Sequence, residues 1–232
     1  MTRENNQSTQ PEESPPTPAR AGIFLPERFG AREIMVIAVA SEGFLLIIAL
    51  LIAWLGRVEL AGYLRAEPAS LIPAVAITAL LLGINLVLTL LSLNLGWLAV
   101  LRELLLRLWV PLTQRLSLGQ IVLVAVLAGV CEEVFFRGVV QIMLERATGV
   151  WPAVALTGLL FGLLHSPHLG RPLGTLFLYY AFFGMVLSSI YVWSGYDLGM
   201  MILIHGGYDL VALVAIRANA RRLLRCYGTA TG

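Results

Sequence analysis

Between Leu71 and Leu101 the chain runs for 31 residues without a charged side chain. A helix needs only about 20 apolar residues to cross the hydrocarbon core of a bilayer. The stretch is therefore expected to tilt, or to end in the interface. A second apolar run, Ile34–Leu55, also meets the requirement for a span. Hydrophobic residues make up 58% of the 232, charged residues 13%, and mean hydropathy is +0.83. A soluble domain cannot hide that much apolar surface behind so few charges. The composition excludes disordered, collagen-like and disulfide-scaffold chains and leaves a polytopic membrane protein.

Four further spans are expected at about 118–140, 150–166, 174–193 and 198–216. The expected architecture is all-α: a transmembrane bundle of about six spans. In the segment 99–112, Arg102, Glu103 and Arg107 lie on one side and leucines on the other, the pattern of a helix in the membrane surface. Residues 1–30 are rich in Pro, Ser, Gln and Glu and read as a disordered tail. Residues 31–114 hold the first two spans and the interfacial helix, 115–216 the polar motifs below, and 217–232 a basic tail. No cleavable signal peptide is visible, because about thirty polar residues precede the first apolar run.

All sixteen basic residues are arginine, and a net charge of +2 gives no case for nucleic acid as a partner. The lipid bilayer is the partner that composition demands. With both termini inside, twelve arginines fall inside: four in each terminal segment, three between 101 and 117, and one in the 166–173 loop. Only Arg57, Arg65 and Arg146 fall outside, so the positive-inside rule puts both ends in the cytoplasm. Cys131 and Cys226 imply no disulfide framework. Oligomeric state is not readable.

A charge at bilayer depth costs about 2.5–3.5 kcal/mol on insertion scales, so each one inside a span is a functional candidate. The third span carries Cys131-Glu132-Glu133-Val134-Phe135-Phe136-Arg137, the fourth Phe161 and His165, and the last His205-Gly206-Gly207-Tyr208-Asp209. Glu133 and Arg137, four apart, stack on one helical face and predict a salt bridge. Glu132 is rotated by about 100° from Glu133 and faces elsewhere. An unpartnered carboxylate in low dielectric is suited to general-base work near neutral pH. His205 and Asp209 share a face, across a Gly-Gly step that admits another backbone. Phe161 sits one turn before His165 and is expected to pack beside it. Singly, each pair reads equally well as a helix-to-helix bridge or a packing residue. Two Glu, one Arg, two His and one Asp on three spans would be costly merely as glue. Glu42, in the first span, either contacts this cluster or faces a water-filled groove. Cys131 reads as a small packing residue, and His168 as solvated.

Glu-Glu-x-x-x-Arg (132, 133, 137), Phe-x-x-x-His (161, 165) and His-x-x-x-Asp (205, 209), in that order on successive helices, resemble the CPBP family. These are the CAAX-processing and bacteriocin-processing (Abi) intramembrane proteases. The resemblance covers roughly 115–216. It implies that Glu132 and His165 activate a water against a peptide carbonyl. It implies too that His205 with residue 209 stabilises the oxyanion, while Glu133, Arg137 and Phe161 support the site. The third motif commonly ends in Asn. Asp209 swaps that neutral amide for a carboxylate, which favours a metal and weakens a donor role unless Asp209 is protonated. No His-Glu-x-x-His motif occurs, and a metal-free site is the favoured reading. If zinc is bound, its ligands would be Glu132, His165, His205 and Asp209.

The leading expectation is thus an intramembrane endopeptidase acting on a hydrophobic peptide or membrane-protein substrate, in a bacterial inner membrane. The alternatives are a non-proteolytic immunity or scaffold protein of the same fold, and a small proton-coupled transporter. The transporter reading lacks any sign of two matching halves. One geometric difficulty stands. Glu132 falls about 21 Å from the start of its helix, at mid-depth. His165 instead ends a short helix and falls too near the cytoplasmic side. Either that helix starts later than Val150, or its end lies inside a cavity.

Overall fold

The structure is a computed structural model that describes residues 29–65, 67–166 and 173–228. The expected disordered tail, apart from its last two residues, and His168 lie outside the described residues. All regular elements among the described residues are helical. Helix α1 is Ala31–Leu55, α2 is Leu71–Leu91, α3 is Ala99–Leu104 and α4 is Val110–Arg115. Helix α5 is Leu118–Glu133, α6 is Ile142–Thr148, α7 is Val150–His165, α8 is Leu173–Trp193 and α9 is Leu198–Gly228. Five helical stretches are long and apolar enough to cross a membrane, and Val150–His165 is a shorter apolar sixth. The chain is an integral membrane helix bundle.

Several boundaries differ from the sequence expectation, each for a local reason. The charge-free stretch 71–101 is not one helix. It ends at Leu91, where Ser92 turns its hydroxyl onto the Thr89 carbonyl, and a 3-10 turn, Gly96–Leu98, precedes α3. Between α3 and α4 the backbone passes through a π-helical segment, Leu105–Trp109, so 99–115 is one continuous but irregular helix. The third span runs on beyond 140 to Thr148, because α5 and α6 are joined by a second π segment, Val134–Gln141. The basic stretch after 216 is no separate tail: α9 continues through it to Gly228. Arginine is a good helix former, and a positive charge suits a helix C-terminus.

The starts of the site-bearing helices are encoded locally. Ser117 accepts from the backbone of Gln120, and the Gln120 side chain accepts from the Ser117 N–H, a complete capping box that begins α5. Gly149, at φ +89°, ends α6 and opens α7. Asp197 accepts from the Met200 N–H and starts α9.

Two close helix crossings then fix the site. A Cβ on Gly129 of α5 would stand 2.8 Å from the Cα of Gly206 on α9. One on Gly162 of α7 would stand 2.8 Å from the Ala181 nitrogen and the Phe177 carbonyl of α8. Small residues let backbones approach to van der Waals contact where lipid supplies no hydrophobic drive. Arg217 of α9 donates to the carbonyls of Thr113 and Leu116, which ties the end of α4 to the last helix.

Candidate active site

Glu132 and Glu133 end the regular part of α5, just before the Val134–Gln141 π segment. A π turn inserts one extra residue into the helical ladder, and such turns recur at functional sites. Arg137, within that segment, places Nη1 2.8 Å from Glu133 Oε1, the expected salt bridge, and both side chains are fully buried. Its Nη2 donates to the Gly184 carbonyl of α8 at 3.2 Å, and its guanidinium lies 5.1 Å from the Phe161 ring centre. Arg137 thus joins α5, α7 and α8 at one point.

Glu133 has a second partner that its spacing from Arg137 did not reveal. Its Oε1 also accepts from His205 Nδ1 at 2.7 Å. That contact fixes the ring, so His205 Nε2 points the other way, 3.6 Å from Asp209 Oδ2 and 4.0 Å from Glu132 Oε2. Glu133 is therefore more than a brace: it orients a histidine.

Nor is Glu132 left without a partner. His165 Nε2 stands 3.3 Å from Glu132 Oε2. His165 Nδ1 lies 2.8 Å from the Phe161 carbonyl one turn earlier, and an N–H there donates to that oxygen. The ring stacks on Phe161, with centres 4.0 Å apart and planes 20° apart, and Tyr180 of α8 flanks it with a ring-centre distance of 5.0 Å. Phe161 therefore holds His165 twice, by its ring and by its carbonyl.

The depth difficulty is resolved by the second of its two solutions. Helix α7 does start at Val150 and stops at His165, and its short end lies beside Glu132 within a cavity. That cavity has a volume of about 360 Å³, within the usual range of ligand pockets. Glu132, His165, His205 and Asp209 all line it, as does Phe161, while Glu133 and Arg137 stand behind. Glu42 of α1 lines it as well. Cys131 is a free, buried thiol.

Other lining residues escaped the sequence reading. Tyr179 and Tyr180 come from α8, Asn85 from α2, and Trp109 from the π segment before α4. Tyr208, between His205 and Asp209, shares a hydrogen bond with Asn85. An amide or phenol inside an apolar helix is the signal that would have found most of them.

Among the described residues, no group of three or more His, Cys, Asp or Glu side chains is arranged to hold a metal ion. What the arrangement offers is a carboxylate and an imidazole within 3.3 Å, facing a second imidazole across the cavity.

Comparison with curated proteins returned no match, and comparison with solved structures returned none. A family model does match: type II CAAX prenyl endopeptidase Rce1-like, over residues 114–211. The matched stretch contains all three motifs, on α5 to α9, and stops short of α1, α2 and α3. Over 114–211 the chain is thus similar to the Rce1-like type II CAAX prenyl endopeptidases, and that match agrees with the family its motifs resemble.

Proposed function

We propose that the chain hydrolyses a peptide bond of a hydrophobic or membrane-associated substrate, with Glu132 and His165 activating the water. The observation that carries this reading is the 3.3 Å approach of Glu132 Oε2 to His165 Nε2 at the wall of a cavity. His165 donates through Nδ1 to the Phe161 carbonyl, which leaves Nε2 and the Glu132 carboxylate to share one proton. A water held there loses its proton to this pair as its oxygen attacks the carbonyl carbon. The same pair then returns the proton to the leaving nitrogen as the C–N bond breaks. Positioned acid–base groups of this kind contribute about 10²–10⁴-fold.

His205 takes the developing oxyanion. Its Nδ1 is engaged by Glu133, so Nε2 is the atom that faces the cavity, and an Nε2–H donates to the oxyanion. A carboxylate cannot donate, so Asp209 acts through the ring, by favouring the form of His205 that carries a proton on Nε2. Donors of this type, aimed at developing charge in a water-poor site, are worth about 2.7–4 kcal/mol each. No serine or cysteine nucleophile is required. In this reading no metal takes part, and the protein lies in a bacterial inner membrane with both termini cytoplasmic.

The test is cleavage of a fluorogenic library of hydrophobic peptides by detergent-purified protein. Wild type is run beside Glu132→Ala, with and without a chelator. Activity that is lost in Glu132→Ala and survives chelation supports the reading. Activity lost to chelator and restored by zinc would overturn the metal-free site and make His165, His205 and Asp209 ligands. A wild type that cleaves no member of a broad library would favour the scaffold alternative.

A further inference from the structure

The matched region does not supply the whole cavity wall. Glu42 comes from α1, ninety residues before the first motif, and lines the same cavity as Glu132, His165, His205 and Asp209. It lies within electrostatic range of all four. Its Oε2 is buried without a hydrogen-bond partner. Apart from Arg32 and Glu33 in its first turn and Ser41, the helix that carries it is apolar, with Phe44, Ile47, Leu50 and Trp54 more than half exposed. A carboxylate there costs about 2.5–3.5 kcal/mol on insertion scales. No hydrogen bond from a described residue reaches that oxygen to offset the cost.

The charge inventory of the cavity shows what would. Three carboxylates line it (Glu42, Glu132 and Asp209) against two imidazoles, His165 and His205, and no arginine lines it. Arg137 is fully buried and engaged with Glu133 and the Gly184 carbonyl. With all three ionised and both imidazoles protonated, three acids less two cations would leave the cavity one negative charge in excess. Apolar side chains, including Leu81, Leu101 and Trp109, line much of the remaining wall. A substrate carboxylate near the scissile bond would meet like charge in low dielectric. A cation would complete the site.

We infer that Glu42 is a specificity-determining residue that receives a cationic side chain, Lys or Arg, of an otherwise hydrophobic substrate segment bound in this cavity. The inference rests on the peptidase reading for what happens to that segment. The binding preference itself does not need cleavage.

Two acetylated, amidated hydrophobic heptapeptides, alike except for a central lysine or norleucine, provide the test. Their fluorescently labelled forms are titrated by anisotropy against Glu132→Asp, which keeps the charge but retracts the carboxylate from the reacting water, and against Glu132→Asp/Glu42→Gln. The fluorogenic forms are assayed for kcat/KM with wild type, Glu42→Gln and Glu42→Asp. The lysine peptide is expected to bind Glu132→Asp about tenfold more tightly than its twin, the scale of a close charge pair in a partly buried site. Glu42→Gln should bring that ratio to near one. The lysine-to-norleucine ratio of kcat/KM should fall likewise in Glu42→Gln and survive in Glu42→Asp, which keeps the charge. Equal binding of the twins, or a preference that persists in Glu132→Asp/Glu42→Gln, would overturn the inference. So would a ratio unchanged in Glu42→Gln while both peptides slow together, since Glu42 would then serve the chemistry or the fold. If the lysine preference in binding holds while wild type cleaves neither peptide, the cation site stands and the peptidase reading fails. Cleavage without preference means the reverse.

Discussion

Helices α1 and α2 are built differently from the helices that carry the motifs. In the most apolar window of α1, and of the second span, 11% of residues are buried; in the Leu118–Thr148 span, half are. The first two helices keep large apolar side chains outward, as at Val36, Trp54, Ile72 and Leu86. The motif helices instead bury polar groups: Glu133, Arg137, Gln141, Thr157 and Ser188 are all fully buried. In lipid the hydrophobic effect gives no reason to press one apolar helix against another. Close packing there comes from small residues and from polar groups that need partners. The core is held by its chemistry, while α1 and α2 solvate it and lend only a few polar side chains, Glu42 and Asn85 foremost.

If that division holds, substitutions in the core are costly in proportion to the polar partners they strand. The largest effect is on turnover. His165→Ala removes the ring that stands 3.3 Å from Glu132, and on the proposed mechanism kcat should fall about 10²–10⁴-fold. The thermal midpoint should move little, because His165 is partly exposed to the cavity. Phe161→Leu keeps the carbonyl that holds His165 Nδ1 but removes the stacked ring, and should lower kcat less. Stopped assays beside melting curves in detergent separate the two. Equal losses would mean that the ring, and not the carbonyl, sets the orientation of His165.

Next comes the buried ion pair. Arg137→Met strands the Glu133 carboxylate at full burial and should cost about 3–5 kcal/mol of stability. Glu133→Leu/Arg137→Met removes both charges and should recover most of that loss. Activity should not return with it, because His205 Nδ1 has lost its acceptor. A double variant that regained activity would reduce Glu133 to a brace and remove its orienting role.

That last point marks where sequence reading stopped. The i,i+4 spacing of Glu133 and Arg137 announces their contact, and three motifs on three spans announce a shared cavity. Spacing within one helix cannot announce the Glu133–His205 bond, which joins residues 72 apart and depends on how closely α5 meets α9. The π segment at 134–141 was hidden for a related reason. Apart from Gly138 its residues are ordinary helix and strand formers, and the carbonyls that Arg137 and Gln141 bond, those of Gly184 and Ser188, lie 47 residues away on α8. Hydropathy misplaced the ends of α2 and α9. It reports where a chain leaves the hydrocarbon, whereas a helix ends where its backbone finds other partners, as at Ser92, or continues through arginines into water. The single tyrosines and Asn85 were overlooked because each is inexpensive alone; only the fold brings them to one wall.

The smallest effects sharpen the comparison most directly, since they use one substitution in both regions. Gly129→Ala puts a Cβ 2.8 Å from the Gly206 backbone, where neither helix has a flexible side chain to move. Overpacking of this kind costs about 1–3 kcal/mol. It should lower the melting temperature and also weaken catalysis, because the same crossing sets the distance from Glu132 to His205. Gly83→Ala, in α2, meets nothing within 4 Å. It exchanges the poorest non-proline helix former for the best, a gain of at most about 1 kcal/mol. The melting temperature should stay level or rise, with kcat unchanged. A drop for Gly83→Ala as large as that for Gly129→Ala would mean that α2 is packed as tightly as the core. The first two helices would then belong to the same cooperative unit as the site, and the contrast drawn from their burial would fail.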